Sequence, residues 1–106
     1  MITVKVSYTV DQAFVEENQH NISVFMEDFR KVSSAEFRYD VYLLEDGVTF
    51  LHLSHYLNES VQKQVLAIPS FKVFQEKRDA SGIGNSHKLE VMKFVGTTDD
   101  LFFSQR

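Results

Sequence analysis

Phe50, His52, Ser54 and Tyr56 are the side chains in this sequence whose types and spacing best suit chemistry. In a strand, residues two apart point the same way. One face therefore carries an imidazole, a hydroxyl and two aromatic rings. A neutral imidazole inside an aromatic pocket can act as a general base on a phenolic substrate, and Phe50 and Tyr56 can sandwich a planar ligand. Arg38, on the preceding strand, can hold an anionic group at the rim of such a site. Arg38 and Lys5 can equally pair with Glu36, Asp40 or Glu90, which is the commoner fate of surface charges. A lone histidine is likewise more often a half-buried structural group, bonded to a neighbouring strand or across a dimer.

Other chemistries find less support. His52 and His55 resemble a ligand pair, but their odd spacing sends them to opposite faces of a strand. His20 falls on a helix surface and His87 in a loop, so no metal site is expected. The chain has no Cys, which removes disulfides, thiolate nucleophiles and thiolate metal sites together and fits a reducing compartment. Ser54 has no His-Asp arrangement around it, so nucleophilic catalysis is not expected. The spacing Gly82-Ile83-Gly84 is too short for a dinucleotide fingerprint, and it precedes a strand instead of joining strand to helix.

The strand that carries His52 is apolar on both sides, because Leu51, Leu53, His55 and Leu57 form its other face. A chain of 106 residues can cover one sheet face with its own helices but hardly two, so the second cover is expected from another copy. A symmetric homodimer through the open sheet face follows, with the apolar tail Leu101-Phe102-Phe103 contributing. The site is expected on the dimer-facing side, lined by Phe50, His52, Ser54 and Tyr56, with Arg38 at its rim.

The elements that position these residues can be read in order. Ile2, Val4, Val6, Tyr8 and Val10 alternate with small polar groups and Lys5, giving a first strand over 2–10. Asp11 is placed to cap a helix over about 12–32, in which Phe14, Val15, Ile22, Phe25, Met26, Phe29 and Val32 share one arc. Asn18 lies in that arc and is read as a core-edge amide satisfied by its surroundings rather than a group aimed at a cavity. Ser33-Ser34 turns the chain into a second strand over 35–45, and Glu45-Asp46-Gly47 closes a tight hairpin into the third. Asn58 caps a short helix, Pro69 breaks it, and a further helix runs to about Asp79 with Phe71, Phe74 and Lys77 on its inner face. A loop over 80–87 leads to a fourth strand over 88–95.

The balance of 11 basic against 15 acidic residues gives a net charge of −4 with no basic run, which argues against a nucleic-acid partner. No stretch has the roughly 18 apolar residues needed to span a bilayer. The alternating N-terminus lacks the pattern of a signal peptide, and a cytoplasmic location is expected.

The order β-α-β-β-α-β describes an α+β, ferredoxin-like domain with a four-stranded antiparallel sheet, here one domain over residues 1–106. Within it, Phe50-x-x-x-Ser54-x-Tyr56, then a helix, then Ile68-Pro69-Ser70-Phe71-Lys72-x-Phe74 resembles the antibiotic-biosynthesis-monooxygenase-like family of dimeric α/β-barrel proteins. The resemblance implies a homodimer whose two sheets pack face to face. It also implies a cofactor-independent monooxygenase acting on a small aromatic substrate of the phenol, quinol or polyketide-like kind. Where relatives often carry Glu and Trp on the third strand, this chain has Ser54 and Tyr56. It has no Trp at all, and the helix histidine of relatives has no equivalent near Gln64. The alternative expectation is a non-catalytic dimeric module of the same fold that binds a small aromatic ligand or serves in assembly.

Overall fold

The computed structural model describes residues 1–102. Four strands, β1 (Ile2–Thr9), β2 (Phe37–Leu43), β3 (Thr49–Tyr56) and β4 (Lys88–Met92), form one antiparallel sheet in the order β2-β3-β1-β4. The helices are α1 (Val15–Phe29), α2 (Glu59–Leu66) and α3 (Pro69–Ala80). The ferredoxin-like order and the four-stranded antiparallel sheet agree with the sequence reading. No helix among the described residues is long and apolar enough to cross a membrane.

The hairpin between β2 and β3 depends on Asp46 and Gly47. Gly47 takes φ +76°, a region that side-chain-bearing residues rarely adopt. The Asp46 carboxylate accepts from the backbone N–H groups of Val48 and Thr49 and from the Thr49 hydroxyl. Asn58 caps α2 as expected, its side-chain oxygen accepting from Val61 N–H at 3.0 Å. Pro69 opens α3, where a missing N–H costs nothing.

The first helix differs from expectation. The chain makes a 3₁₀ turn over Gln12–Phe14 before α1, and the Asp11 side chain makes no cap. The Asp11 backbone carbonyl accepts from Phe14 N–H at 2.9 Å instead, so its carboxylate is not needed there. β4 also stops at Met92, short of the expected residue 95.

Which face of the sheet is covered follows from register. Tyr8 pairs with Phe50, Val6 with His52, Val4 with Ser54 and Ile2 with Tyr56. These side chains share the face on which the helices lie. The core there is largely aromatic: Phe25 is 0% exposed and its ring stands 4.8–5.7 Å from those of Phe29, Phe71, Phe74 and Tyr39. The expectation that Phe50, His52, Ser54 and Tyr56 face a partner copy is therefore corrected. β1 has only one strongly apolar face, which must take the helices, and hydrogen-bonded pairing puts the His52 set on that same side.

The opposite face carries Thr3, Lys5, Leu51, Leu53, His55, Arg38 and Asp40. Part of it is covered by the chain's own C-terminal segment, since the His55 ring meets Phe94 at 6.5 Å and Leu101 lines a groove with Leu53 and Arg38. Phe103, the last residue of the expected apolar tail, lies outside the described residues.

A candidate ligand cavity under the helices

A cavity of about 340 Å³ lies between the sheet and α2 and α3. Val4 and Val6 of β1 and Ser54 of β3 form its floor, and Phe71, Phe74 and Arg78 of α3 form one wall. Tyr39, His52 and Tyr56 also line it, while Leu89 and Val91 on β4 border its exposed side. The helices do not extend over β4, and this leaves Leu89 57% and Val91 73% exposed on the face that is elsewhere buried.

His52 is buried, 3% exposed, with both ring nitrogens engaged. The Tyr8 hydroxyl lies 2.8 Å from Nε2 and the Tyr39 hydroxyl 2.7 Å from Nδ1. Asn18, reaching in from α1, donates from Nδ2 to the Tyr8 oxygen at 2.9 Å. Burial pushes the imidazole down to about 3, and the Arg78 charge acts in the same direction. Burial raises the Tyr8 phenol well above its ordinary value, the Asn18 hydrogen bond and Arg78 opposing it. Burial likewise raises Tyr39 and Tyr56. His52, Tyr8 and Tyr39 are thus neutral across the physiological range.

Arg78 is the charge of the cavity. It lies 7% exposed, its guanidinium carbon 5.4 Å from the Tyr8 ring centre and 5.7 Å from that of Phe74. Its Nε donates to the carboxylate of Asp79 at 3.0 Å, and Asp79 is itself exposed. Among the described residues no carboxylate lines the cavity. A buried guanidinium whose carboxylate partner among the described residues is a surface one forms an incomplete pair, and an anion in the cavity would complete it.

The residues singled out from sequence are only partly assembled here. His52, Ser54 and Tyr56 line the cavity. Phe50 is 1% exposed and stacks on Tyr8 in the core, outside the lining. Arg38 lies on the other face, paired with His55 in register and bonded to Asp40 at 3.2 Å, so it is not at the rim of this cavity. It is one position from both Phe37 and Tyr39, and in a strand a single step is enough to reverse a side chain's direction.

Sequence reasoning missed Arg78, Tyr8 and Tyr39. It extended the α3 face through Lys77, which is exposed. The buried set is Phe71, Phe74 and Arg78, a spacing of three and four that continues a helical stripe. That spacing was the available signal, obscured because a cation is not expected in a core. Asn18 is wholly buried and bonded through its amide to Tyr8, with Oδ1 unpartnered among the described residues. His52 and His55 point to opposite faces as their spacing required, and no group of three His, Cys, Asp or Glu residues that could hold a metal occurs among the described residues.

No family model matches the chain, and no curated protein matches it in sequence. Solved structures do match its fold. An antibiotic biosynthesis monooxygenase superposes with TM-score 0.76 at 12% identity, covering 91% of this chain and 100% of that one. A Mycobacterium tuberculosis protein gives 0.76 at 11%, covering 92% and 98%. SnoaB, a cofactor-independent oxygenase from Streptomyces nogalater, gives 0.71 at 15%, covering 93% and 97%. At these identities the likeness is one of architecture: the chain has the ferredoxin-like α+β fold of the antibiotic biosynthesis monooxygenase structures.

Proposed function

We propose that the chain is a cofactor-independent monooxygenase acting on a small aromatic substrate of the phenol, quinol or polyketide-like class. The observation that carries this reading is the cavity itself: aromatic walls and the buried Arg78 guanidinium, with no carboxylate among the described residues that line it. A planar ring fits against Phe71 and Phe74, and its ionised oxygen faces Arg78. Such an electron-rich anion can pass electrons to O2. A ring methylene then becomes a carbonyl with one oxygen atom, and the other leaves as water, so the substrate is its own reductant. Arg78 holds the developing negative charge, in a site where water exclusion strengthens the attraction. The fold likeness to SnoaB, itself described as a cofactor-independent oxygenase, supports the assignment.

His52 belongs to this machinery through Tyr39. Both of its nitrogens are occupied and its basicity is low, so its part is to hold and pass a proton at Tyr39, not to meet the substrate directly. The second reading, a non-catalytic module binding an aromatic anion, is favoured by that same low basicity.

The assembly proposed is a homodimer through the open sheet face, where Leu51 and Leu53 remain half-buried without a helix over them. Obligate interfaces of this kind bury more than roughly 2,000 Å² in total.

Oxygen uptake with a panel of anthrones and quinols tests the activity. Turnover that falls about 10²-fold or more in His52→Ala and in Arg78→Met, with the fold retained, supports the oxygenase. Tight binding of the same compounds with no oxygen consumed establishes the binding module instead.

A further inference from the structure

The His52 ring is held between two phenols, and the direction of those two hydrogen bonds decides what the cavity offers a ligand. A neutral imidazole has one N–H and one bare nitrogen. One tyrosine must therefore donate to it and the other must accept from it. Asn18 breaks the tie. Its amide nitrogen, which can only donate, meets the Tyr8 oxygen at 2.9 Å. The reverse amide placement would orphan a buried –NH2, where now only the Oδ1 carbonyl oxygen lacks a partner among the described residues. The Tyr8 hydrogen cannot point at Asn18, and Tyr8 is 1% exposed, so its one acceptor is His52 Nε2 at 2.8 Å. Buried hydroxyls are seldom left without an acceptor. Nδ1 then carries the ring proton and donates to the Tyr39 oxygen at 2.7 Å. The Tyr39 hydrogen is left to face the cavity that Tyr39 lines together with Arg78.

We propose that Asn18 and Tyr8 are positioning residues that act through His52 to hold the Tyr39 hydroxyl as a hydrogen-bond donor into the cavity. With Arg78, the inner end of the cavity then presents donors, and it selects the ionised form of a phenol over the neutral form. This rests on the reading of the cavity as a site for an acidic aromatic, but it holds whether or not oxygen is consumed.

Nitrogen-15 NMR of the full chain reads the tautomer directly. The expected result is a neutral His52 with its proton on Nδ1; a proton on Nε2 overturns the proposal. Asn18→Asp reverses the relay at a pH where the carbon-13 shift of the new carboxyl shows the anion. The carboxylate accepts from Tyr8, the Tyr8 oxygen accepts from Nε2–H, and Tyr39 is turned to donate to Nδ1. An unchanged tautomer in that folded variant refutes the role of Asn18. The ligand side is read with 4-nitrophenol, whose ionised form absorbs visible light and so reports the state bound. The wild-type protein should favour the phenolate, and Tyr39→Phe should reduce that preference about tenfold. Equal weakening of both forms, or no binding of either, overturns the proposal. The wild-type tautomer and the Tyr39→Phe comparison decide the matter even if Asn18→Asp does not fold. Phenolate selection without oxygen uptake from any anthrone or quinol would reject the oxygenase and leave this inference standing.

Discussion

Burial of His52 as a neutral ring makes the fold sensitive to mild acid. In the unfolded chain the imidazole takes a proton near 6.5, but in the folded chain only near 3. Between these values the unfolded state binds more protons, so stability is fully present above pH 6.5 and is lost as pH falls toward 3. Each pH unit inside the window costs about 1.4 kcal/mol. From pH 7 to pH 5 the loss assignable to His52 is therefore about 2 kcal/mol, a large part of the stability of a small domain. His55 contributes with the same sign, since burial lowers it, Asp40 opposing and Arg38 adding to the effect. Hydrogen bonds lower the carboxyls of Asp28 and Asp46 from 3.8, so the stability they contribute is lost at pH values below those compared here. The assay is urea unfolding at pH 7 and pH 5, at fixed protein concentration, for wild type, His52→Gln and His55→Gln. With a urea slope of about 1–2 kcal/mol per molar, the wild-type midpoint should fall by at least about 1 M between the two pH values, and His52→Gln should recover most of that drop. If His52→Gln loses as much between pH 7 and pH 5 as the wild type does, the burial argument is wrong.

Arg78→Met should weaken nitrophenolate binding by about 30- to 100-fold, the yield of a charge-assisted hydrogen bond in a part-dry site, and neutral nitroanisole by less than about threefold. Calorimetric titration separates the two, and equal losses would mean that Arg78 only packs on Tyr8 and Phe74. Phe25→Ala removes a fully buried ring that packs against the rings of Phe29, Tyr39, His52, Phe71 and Phe74 and should cost about 3–5 kcal/mol; a loss under about 1 kcal/mol in chemical denaturation would show that the core is not packed this way. Leu53→Glu on the open face should leave a folded monomer in sedimentation at micromolar concentration if that face is the dimer interface. A wild-type monomer under the same conditions would reject the dimer outright.

Local chemistry determined much of this architecture from the sequence alone. The alternation of Ile2, Val4, Val6, Tyr8 and Val10, the Asp46-Gly47 turn, the Asn58 cap and the Pro69 break each act over a few residues, and each appears in the fold as read. The joint placement of His52, Ser54 and Tyr56 on one face was legible for the same reason, because strand periodicity is local. The side of the sheet they face was not. β3 is apolar on both faces, and only its hydrogen-bonded register with the one-sided β1 sends His52 beneath the helices and Arg38 to the opposite face. The tetrad of Asn18, Tyr8, Tyr39 and His52 joins α1, β1, β2 and β3, and no spacing within a single element encodes such a meeting. Arg78 was hidden for a further reason. A guanidinium reads as surface in any local window, and it becomes a buried charge only when α3 docks its Phe71 and Phe74 stripe against the sheet and carries Arg78 over the Tyr8 ring.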